Sequence, residues 1–133
     1  MSSEALAVVR TFCDAAVADD LTRISDMLDR DVVWFGTRGG LDQDRVVRGP
    51  DAFLEYLAEI TDTWERFDAD AERLIETGDA VVVFFHETGR ARHADLEVQN
   101  DTAAVFKVRQ GKIVEVRGYL DREEALEEAR RTK

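Results

Sequence analysis

At Trp64 the hydrophobic pattern of the chain changes from a helical to an extended period. Phe53, Leu57, Ile60 and Trp64 recur at intervals of four and three residues, the spacing of one apolar helix face. After Trp64, runs of β-branched and aromatic residues alternate with short polar turns, which is typical of successive strands. The sequence therefore predicts helices followed by a continuous sheet, an α+β architecture.

The first part of the chain predicts two helices and a strand. Apolar residues recur at three and four positions from Glu4 to Val17, which predicts a first helix. The Asp19–Asp20 pair offers capping oxygens to a short second helix. Residues 32–35 of the stretch 31–35 are β-branched or aromatic, and the stretch predicts a strand that ends at Gly36. The polar stretch Thr37–Asp44 predicts a loop.

The second part of the chain predicts an antiparallel meander. Its strands are a weak stretch at Asp68–Glu76 and the apolar runs AVVVFFHE, LEVQNDTAAVFKV and KIVEVRGYL, with turns at 77–79 and 110–111. A terminal helix follows over Asp121–Arg131, docked through Ala125 and Leu126. A curled sheet of roughly four to six strands around the third helix would leave a half-open cavity at one end.

Composition favours one globular domain over residues 1–133. Hydrophobic residues make up 44% of the chain, and its length is near that of a typical single domain. No apolar run approaches the roughly 20 residues that cross a bilayer, so we expect no membrane association. The formal net charge of −11 repels phosphate backbones, so we expect no nucleic-acid partner.

Cysteine and histidine usage argues against metal chemistry. The single cysteine, Cys13, cannot form an internal disulfide, and the N-terminus shows no secretory signal, so we expect a cytoplasmic protein. Neither HExxH nor paired CxxC motifs occur, and Gly39–Gly40 lacks the lysine of a phosphate loop. We expect no metal and no cofactor.

Three segments together resemble one family. The stretches AVADDLTRISDMLDRDVVW, VVRGPDAFLEYL and RQGKIVEVRGYLDREEALEEA, in this order, resemble the SnoaL-like and ketosteroid-isomerase-like branch of the nuclear transport factor 2-like superfamily. The resemblance spans nearly the whole chain. It implies a cone-shaped, curved sheet wrapped around a long helix, an apolar pocket in the cone, and homodimers formed through the outer face of the sheet. Members include isomerases, polyketide cyclases, epoxide hydrolases and binding domains without catalysis, so fold alone assigns no activity.

The catalytic positions of the steroid isomerases are replaced in this chain. That mechanism uses a carboxylate base, a tyrosine and a protonated aspartic acid. By resemblance, Gly36 stands at the base, Phe12 at the tyrosine and Ala104 at the second acid. Against the epoxide hydrolases, Glu87 matches one acid, while Phe85 and Gly118 stand where an arginine and an aspartate are needed.

The strand that carries His86 and Glu87 has an ambiguous inner face. Val81–Phe85 is apolar on both parities, as expected of a strand covered on both sides. The resemblance turns Phe84, His86 and Thr88 into the cone, whereas a bulge of one residue would turn Phe85 and Glu87 inward. We favour His86 as a general acid or base, aided by Glu87; a purely structural histidine is the alternative.

The remaining candidates line the same predicted cavity. Trp34 offers an aromatic wall and an indole N–H, and it is equally suited to a core role. Core packing and pocket lining are also both open for the other apolar candidates, which are Phe12, Leu57, Phe84, Ala104, Phe106, Val116 and Leu120. The charged residues Arg38, Asp42, Asp44 and Arg45 lie in a loop that would cover the mouth or would simply be solvated.

Three functions fit these features. The first is a domain that binds a small, mainly hydrophobic molecule in the cone. The second is an isomerase, polyketide cyclase or epoxide hydrolase-like enzyme that uses His86 as general acid or base. The third is a dimeric interaction module whose cone is filled by side chains.

Overall fold

The computed structural model describes residues 3–40, 42–78 and 80–131. These ranges form the following helices and strands: α1 (Ser3–Val17), α2 (Leu21–Asp26), β1 (Leu28–Arg38), β2 (Val46–Arg48), α3 (Pro50–Thr63), β3 (Trp64–Thr77), β4 (Ala80–Ala91), β5 (Glu97–Arg109), β6 (Lys112–Tyr119) and α4 (Arg122–Arg131). The predicted turn after β3 includes Asp79, which lies outside the described residues.

The strands form one mixed sheet in the order β2-β1-β6-β5-β4-β3. β1 and β6 run parallel, and the other neighbouring pairs are antiparallel. The curved sheet with helices confirms the predicted α+β cone. Strand β2 was not predicted, because three residues are too few to show an alternating period.

Helices α1 and α3 cover the inner face of the sheet. Phe12 of α1 meets Phe53 of α3 and Phe106 of β5 edge-on, with ring centroids 6.2 and 5.4 Å apart. Val81 and Val83 of β4 are fully buried in the same cluster. Burial of each such side chain contributes about 1.5–3 kcal/mol to folding, which fixes the two helices on the sheet.

Helix α4 covers part of the outer face. Its Ala125 and Ala129 are buried against Val82, Val105 and Tyr119. Ala125 and Leu126 both dock as predicted, with Leu126 partly buried against the same cluster. Because α1 contacts β4 on one side and α4 contacts it on the other, both parities of this strand are apolar.

The helix boundaries follow the capping residues. Asp20 Oδ1 accepts a hydrogen bond from the Arg23 N–H at 3.1 Å, and Asp121 Oδ1 accepts from Glu123 and Glu124 at 2.9 and 3.3 Å. The prediction that Trp64 continues the stripe of α3 is wrong. Trp64 has extended backbone angles, begins β3 and packs against Gly89.

Among the described residues, every helix is too short or too polar to cross a bilayer.

Candidate functional site

Strand β4 presents its odd-numbered residues to the interior of the cone. Val81 and Val83 belong to the inner core, and Phe85 packs against that core. Val82 and Phe84 belong to the outer cluster beneath α4. Glu87 therefore continues the inner row of side chains.

The expectation that Phe84, His86 and Thr88 face the cone is wrong. The Phe84 ring lies on the outer face beneath the Arg122 guanidinium, whose Cζ is 4.7 Å from the ring centroid. His86 Nδ1 lies 2.8 Å from Asp101 Oδ1, on the same outer row. Thr88 lines an open outer cleft with Arg66 and Arg90. The alternative parity, with Phe85 and Glu87 inward, is the one that the structure adopts.

His86 is consequently a surface residue paired with a carboxylate. The hydrogen bond to Asp101 raises the pKa of the imidazole, and the charges of Asp101, Glu72 and Asp70 add to this effect. The same contact lowers the pKa of Asp101. The ring has no access to the interior from this position.

The expected apolar lining divides into a packed base and a partly open part. Five candidates lie in the inner core and are less than a tenth exposed: Phe12, Trp34, Ala104, Phe106 and Val116. Leu57 packs on the same core but is only partly buried. That any of these residues touches a ligand stays a prediction. Leu120 does not line the interior: it is 43% exposed and lies against Gly39.

Four inner-face residues of the described chain are only partly covered. Leu57, Leu74 and Phe85 pack on the inner core and are partly buried, and so is Glu87, the next inward-facing residue after Phe85 on β4. We call the surface that these four residues form the Glu87 hollow. Two open surface clefts of about 200 and 300 Å³ lie elsewhere, and their linings contain neither Glu87 nor Tyr56. The Glu87 hollow therefore combines accessible apolar surface with an ionisable group.

Tyr56 and Asp42 lie within electrostatic range of Glu87, and we call this pair the wall of the hollow. The Tyr56 hydroxyl donates to Asp42 Oδ2 at 3.2 Å, and the Thr37 N–H donates to Asp42 Oδ1 at 3.3 Å. The Tyr56 ring lies on Trp34, with centroids 4.0 Å apart. Burial raises the pKa of Tyr56, and the Asp42 charge raises it further, so the phenol keeps its proton at neutral pH.

Arg45 braces this wall from outside. Its guanidinium forms two hydrogen bonds to the Glu59 carboxylate, at 2.7 and 3.1 Å, and lies 4.9 Å from the Tyr56 ring centroid. The bidentate pairing lowers the pKa of Glu59 and raises that of Arg45. Arg45 is thus ion-paired with Glu59, and this contact holds the loop between β1 and β2 against α3.

Glu87 has the electrostatic environment of a proton donor and acceptor. Burial raises the pKa of its carboxyl, and the nearby Asp42 charge raises it further. A hydrogen bond with Thr102 opposes this effect. Thr102 is itself 4% exposed. A carboxyl with a raised pKa retains its proton closer to neutral pH than an ordinary glutamic acid.

Gly36 allows the loop to bring Asp42 into this site. The Gly36 N–H donates to the Arg45 carbonyl at 2.8 Å, which folds the loop back onto β1. A Cβ at position 36 would lie 1.6 Å from the Asp42 carbonyl oxygen. Only glycine fits this close approach of two backbones.

Glu87 was among the residues predicted from the sequence, but Tyr56 was not. Asp42 was predicted only as part of a loop that covers the mouth of the cone or is solvated. Tyr56 lies three residues after Phe53, so its place on the inner stripe of α3 was detectable. Its partner across the loop was not, because no local pattern encodes a contact between residues 42 and 56.

Neither the Cys13 thiol nor a cluster of metal ligands adds a reactive group to this region among the described residues. Burial raises the pKa of the Cys13 thiol to about 11, so it remains protonated. Among the residues that the structure describes, His, Cys, Asp and Glu side chains form no group of three positioned for a metal ion.

Comparison with known proteins agrees with this architecture. The model of the SnoaL-like domain family matches residues 9–116. No protein of curated function matches the chain.

Several solved structures share the fold. An NTF2-like protein of unknown function from Burkholderia pseudomallei has 20% identity over 93% of this chain and 95% of its own, with a TM-score of 0.77. A putative SnoaL-like polyketide cyclase from Jannaschia sp. has 15% identity over 87% and 84%, with a TM-score of 0.76. An LEH-like epoxide hydrolase from M. tuberculosis has 23% identity over 97% and 91%, with a TM-score of 0.71. At these identities the likeness shows the fold alone.

Proposed function

We propose that this chain, which belongs to the SnoaL-like domain family of the NTF2-like superfamily, binds a small, mainly apolar molecule in the Glu87 hollow. One observation carries the proposal: an ionisable, partly buried carboxyl lies beside partly exposed apolar side chains on the inner face of the cone. Such a combination of apolar wall and few convergent polar groups is typical of small-molecule sites.

The two parts of the hollow suit two parts of a ligand. Leu57, Leu74 and Phe85 offer apolar surface to a hydrocarbon or aromatic body. Glu87 offers a hydrogen bond to a polar end, as donor when protonated and as acceptor when ionised. A ketone, a phenol or a hydroxylated ring meets both requirements.

A second candidate is acid–base catalysis at the same carboxyl, and the raised pKa of Glu87 favours it. Proton transfer is most efficient when the pKa of the catalytic group is near the working pH. Glu87 would donate its proton to the oxygen of an epoxide or polyketide substrate, or accept a proton from an activated carbon. The steroid isomerase positions Phe12, Gly36 and Ala104 carry no ionisable group, so Glu87 would act without that constellation.

Two adjacent substitutions test the proposal. Trp34 stacks on Tyr56, so intrinsic fluorescence reports occupancy of the hollow by steroids or aromatic ketones. We expect Glu87→Gln to weaken binding of a responding phenol or alcohol by roughly tenfold at pH values where Glu87 is ionised, because a neutral amide replaces the acceptor of a charge-assisted hydrogen bond. His86→Gln, one residue away on the outer face, is the matched control and should bind as the parent chain does.

The outcomes separate the candidates. Equal affinities for the parent, Glu87→Gln and His86→Gln chains would remove Glu87 from the site, and a panel without any fluorescence response would count against the binding proposal itself. Turnover lost in Glu87→Gln with binding retained would favour the enzyme over the binding domain.

We also propose a homodimer formed through the part of the outer sheet face that α4 leaves uncovered. Phe35 and Arg117 lie there, with the guanidinium 4.0 Å from the ring centroid. Size exclusion with light scattering tests it, and a strict monomer at micromolar concentration would contradict it. The cytoplasm remains our proposed compartment, because Cys13 is a free thiol.

A further inference from the structure

Arg122 connects α4 to the strands that carry the Glu87 hollow. Its Nε donates to the Thr102 carbonyl at 3.2 Å, and its Nη2 donates to the Phe85 carbonyl at 2.9 Å. Phe85 and Thr102 are directly opposed residues of β4 and β5. Both side chains face the interior, where Thr102 is the diagonal neighbour of Glu87, because the residue directly opposite Glu87 on β5 is Asn100. A hydrogen bond from Thr102 lowers the pKa of the Glu87 carboxyl. One guanidinium on the outer face therefore holds the backbone carbonyls of two residues next to Glu87. Phe85 is the preceding inward-facing residue of β4, and Thr102 is the neighbour on β5.

A bulge in β3 supplies a further partner of Arg122. The register between β3 and β4 shifts between Ala71 and Arg73, which leaves Glu72 as the extra residue. Arg122 Nη2 lies 2.6 Å from Glu72 Oε1. The guanidinium thus joins β3, β4 and β5 at a point where the regular ladder is interrupted.

The position of Arg122 in its helix argues against a role in helix stability. Arg122 is the first residue of α4, followed by Glu123 and Glu124, and Asp121 caps this end. The helix dipole disfavours a cation in the first turn. The side chain is placed instead by its contacts with the sheet, including the face of Phe84.

We propose that Arg122 is a positioning residue: by holding the Phe85 and Thr102 carbonyls from the outer face, it fixes the Thr102–Glu87 contact on the inner face. The functional meaning of this contact rests on the function proposed for Glu87. The geometric claim concerns only the orientation of one carboxyl and can be tested without a ligand.

The test is a titration of the Glu87 carboxyl by NMR in the full chain. Arg122→Lys keeps the charge but cannot hold two carbonyls and a carboxylate with a planar fork. Arg122→Ala removes both charge and fork. Loss of the Thr102 hydrogen bond, which lowers the pKa of Glu87, should raise the Glu87 midpoint in both variants by roughly 0.5–1 pH unit.

The matched control is Arg38→Ala. Arg38 also contacts α4, because its Nε lies 3.2 Å from Glu124 Oε1. Within the described part of the chain, its side chain forms no hydrogen bond or ion pair with β4 or β5. We expect it to leave the Glu87 midpoint unchanged. The outer groups near Arg122 are Glu72, Asp101 and His86, and His86 titrates in the same spectra as a readout of that face.

Each outcome decides the matter. A raised midpoint in both Arg122 variants and not in Arg38→Ala supports positioning. An unchanged midpoint in Arg122→Lys overturns it: with Arg122→Ala shifted, the effect is one of charge, and with both unchanged, the clamp is irrelevant. An equal shift in Arg38→Ala overturns it by showing general loosening of α4.

Should Arg122→Ala fail to fold, Arg122→Lys decides alone. Ligand binding that is independent of Glu87 would refute the proposed function while leaving the titration result intact.

Discussion

His86 and Glu87 are neighbours in β4, yet they lie on opposite faces of the sheet. His86 Nδ1 lies 2.8 Å from Asp101 on the outer face, while Glu87 hydrogen-bonds Thr102 within the cone. One peptide unit thus separates a solvated ion pair from a partly buried carboxyl on the inner face. The difference in solvation explains why burial dominates the pKa of Glu87 and a hydrogen bond dominates that of His86.

The raised pKa of Glu87 predicts a specific pH dependence of stability. The folded protein binds this proton more tightly than the unfolded chain, so the contribution of Glu87 to the free energy of unfolding is complete below the ordinary value of 4.5. It is lost as the pH rises through the raised folded pKa. Urea unfolding at several pH values should show Glu87→Gln gaining stability relative to the parent across this window. A constant difference would contradict the raised pKa.

The charge of Asp42 should control the titration of Glu87. Asp42 raises the pKa of Glu87, so Asp42→Asn, which keeps an acceptor for the Tyr56 hydroxyl, should lower the Glu87 midpoint. NMR of the Glu87 carboxyl measures this directly. Asp44→Asn, in the same exposed loop, is the control and should change little. Equal midpoints in the parent and Asp42→Asn would place the two carboxylates too far apart to interact.

The Tyr56–Asp42 hydrogen bond should stabilise the fold. Tyr56→Phe retains the ring on Trp34 and removes only the hydroxyl, so we expect the free energy of unfolding to fall by about 1–2 kcal/mol. The same substitution in Asp42→Asn should cost less. A double-mutant cycle measured by urea unfolding isolates the interaction, and a coupling energy of zero would show that the contact contributes nothing.

The fold was largely predictable because its signals are local. Asp20 and Asp121 cap helices where their oxygens meet free N–H groups, and these contacts depend only on residues two or three positions away. Hydrophobic period likewise depends on nearby residues. The end of α3 was misjudged because Trp64 continues the spacing of the stripe although its backbone is already extended.

The site was less predictable because its signals cancel or are long-range. Val81–Phe85 is apolar on both faces, since α4 covers the outer one, so alternation could not reveal that Glu87 rather than His86 faces inward. Tyr56 meets Asp42 only because the loop folds back onto β1. That return depends on a backbone approach at Gly36, which composition alone does not disclose.

Gly36 should therefore be required for the geometry of the hollow. In Gly36→Ala the new Cβ would lie 1.6 Å from the Asp42 carbonyl oxygen, so the loop must move, and we expect a loss of about 1–3 kcal/mol in stability. Displacement of Asp42 should also lower the Glu87 midpoint.

Gly111→Ala is the control, because position 111 has a positive φ but open space around it. It should reduce stability through backbone strain, by roughly 1–2 kcal/mol, and leave the Glu87 titration unchanged. If both alanine variants titrated like the parent chain, the loop would not hold Asp42 near Glu87, and the wall formed by Tyr56 and Asp42 would have to be removed from the site.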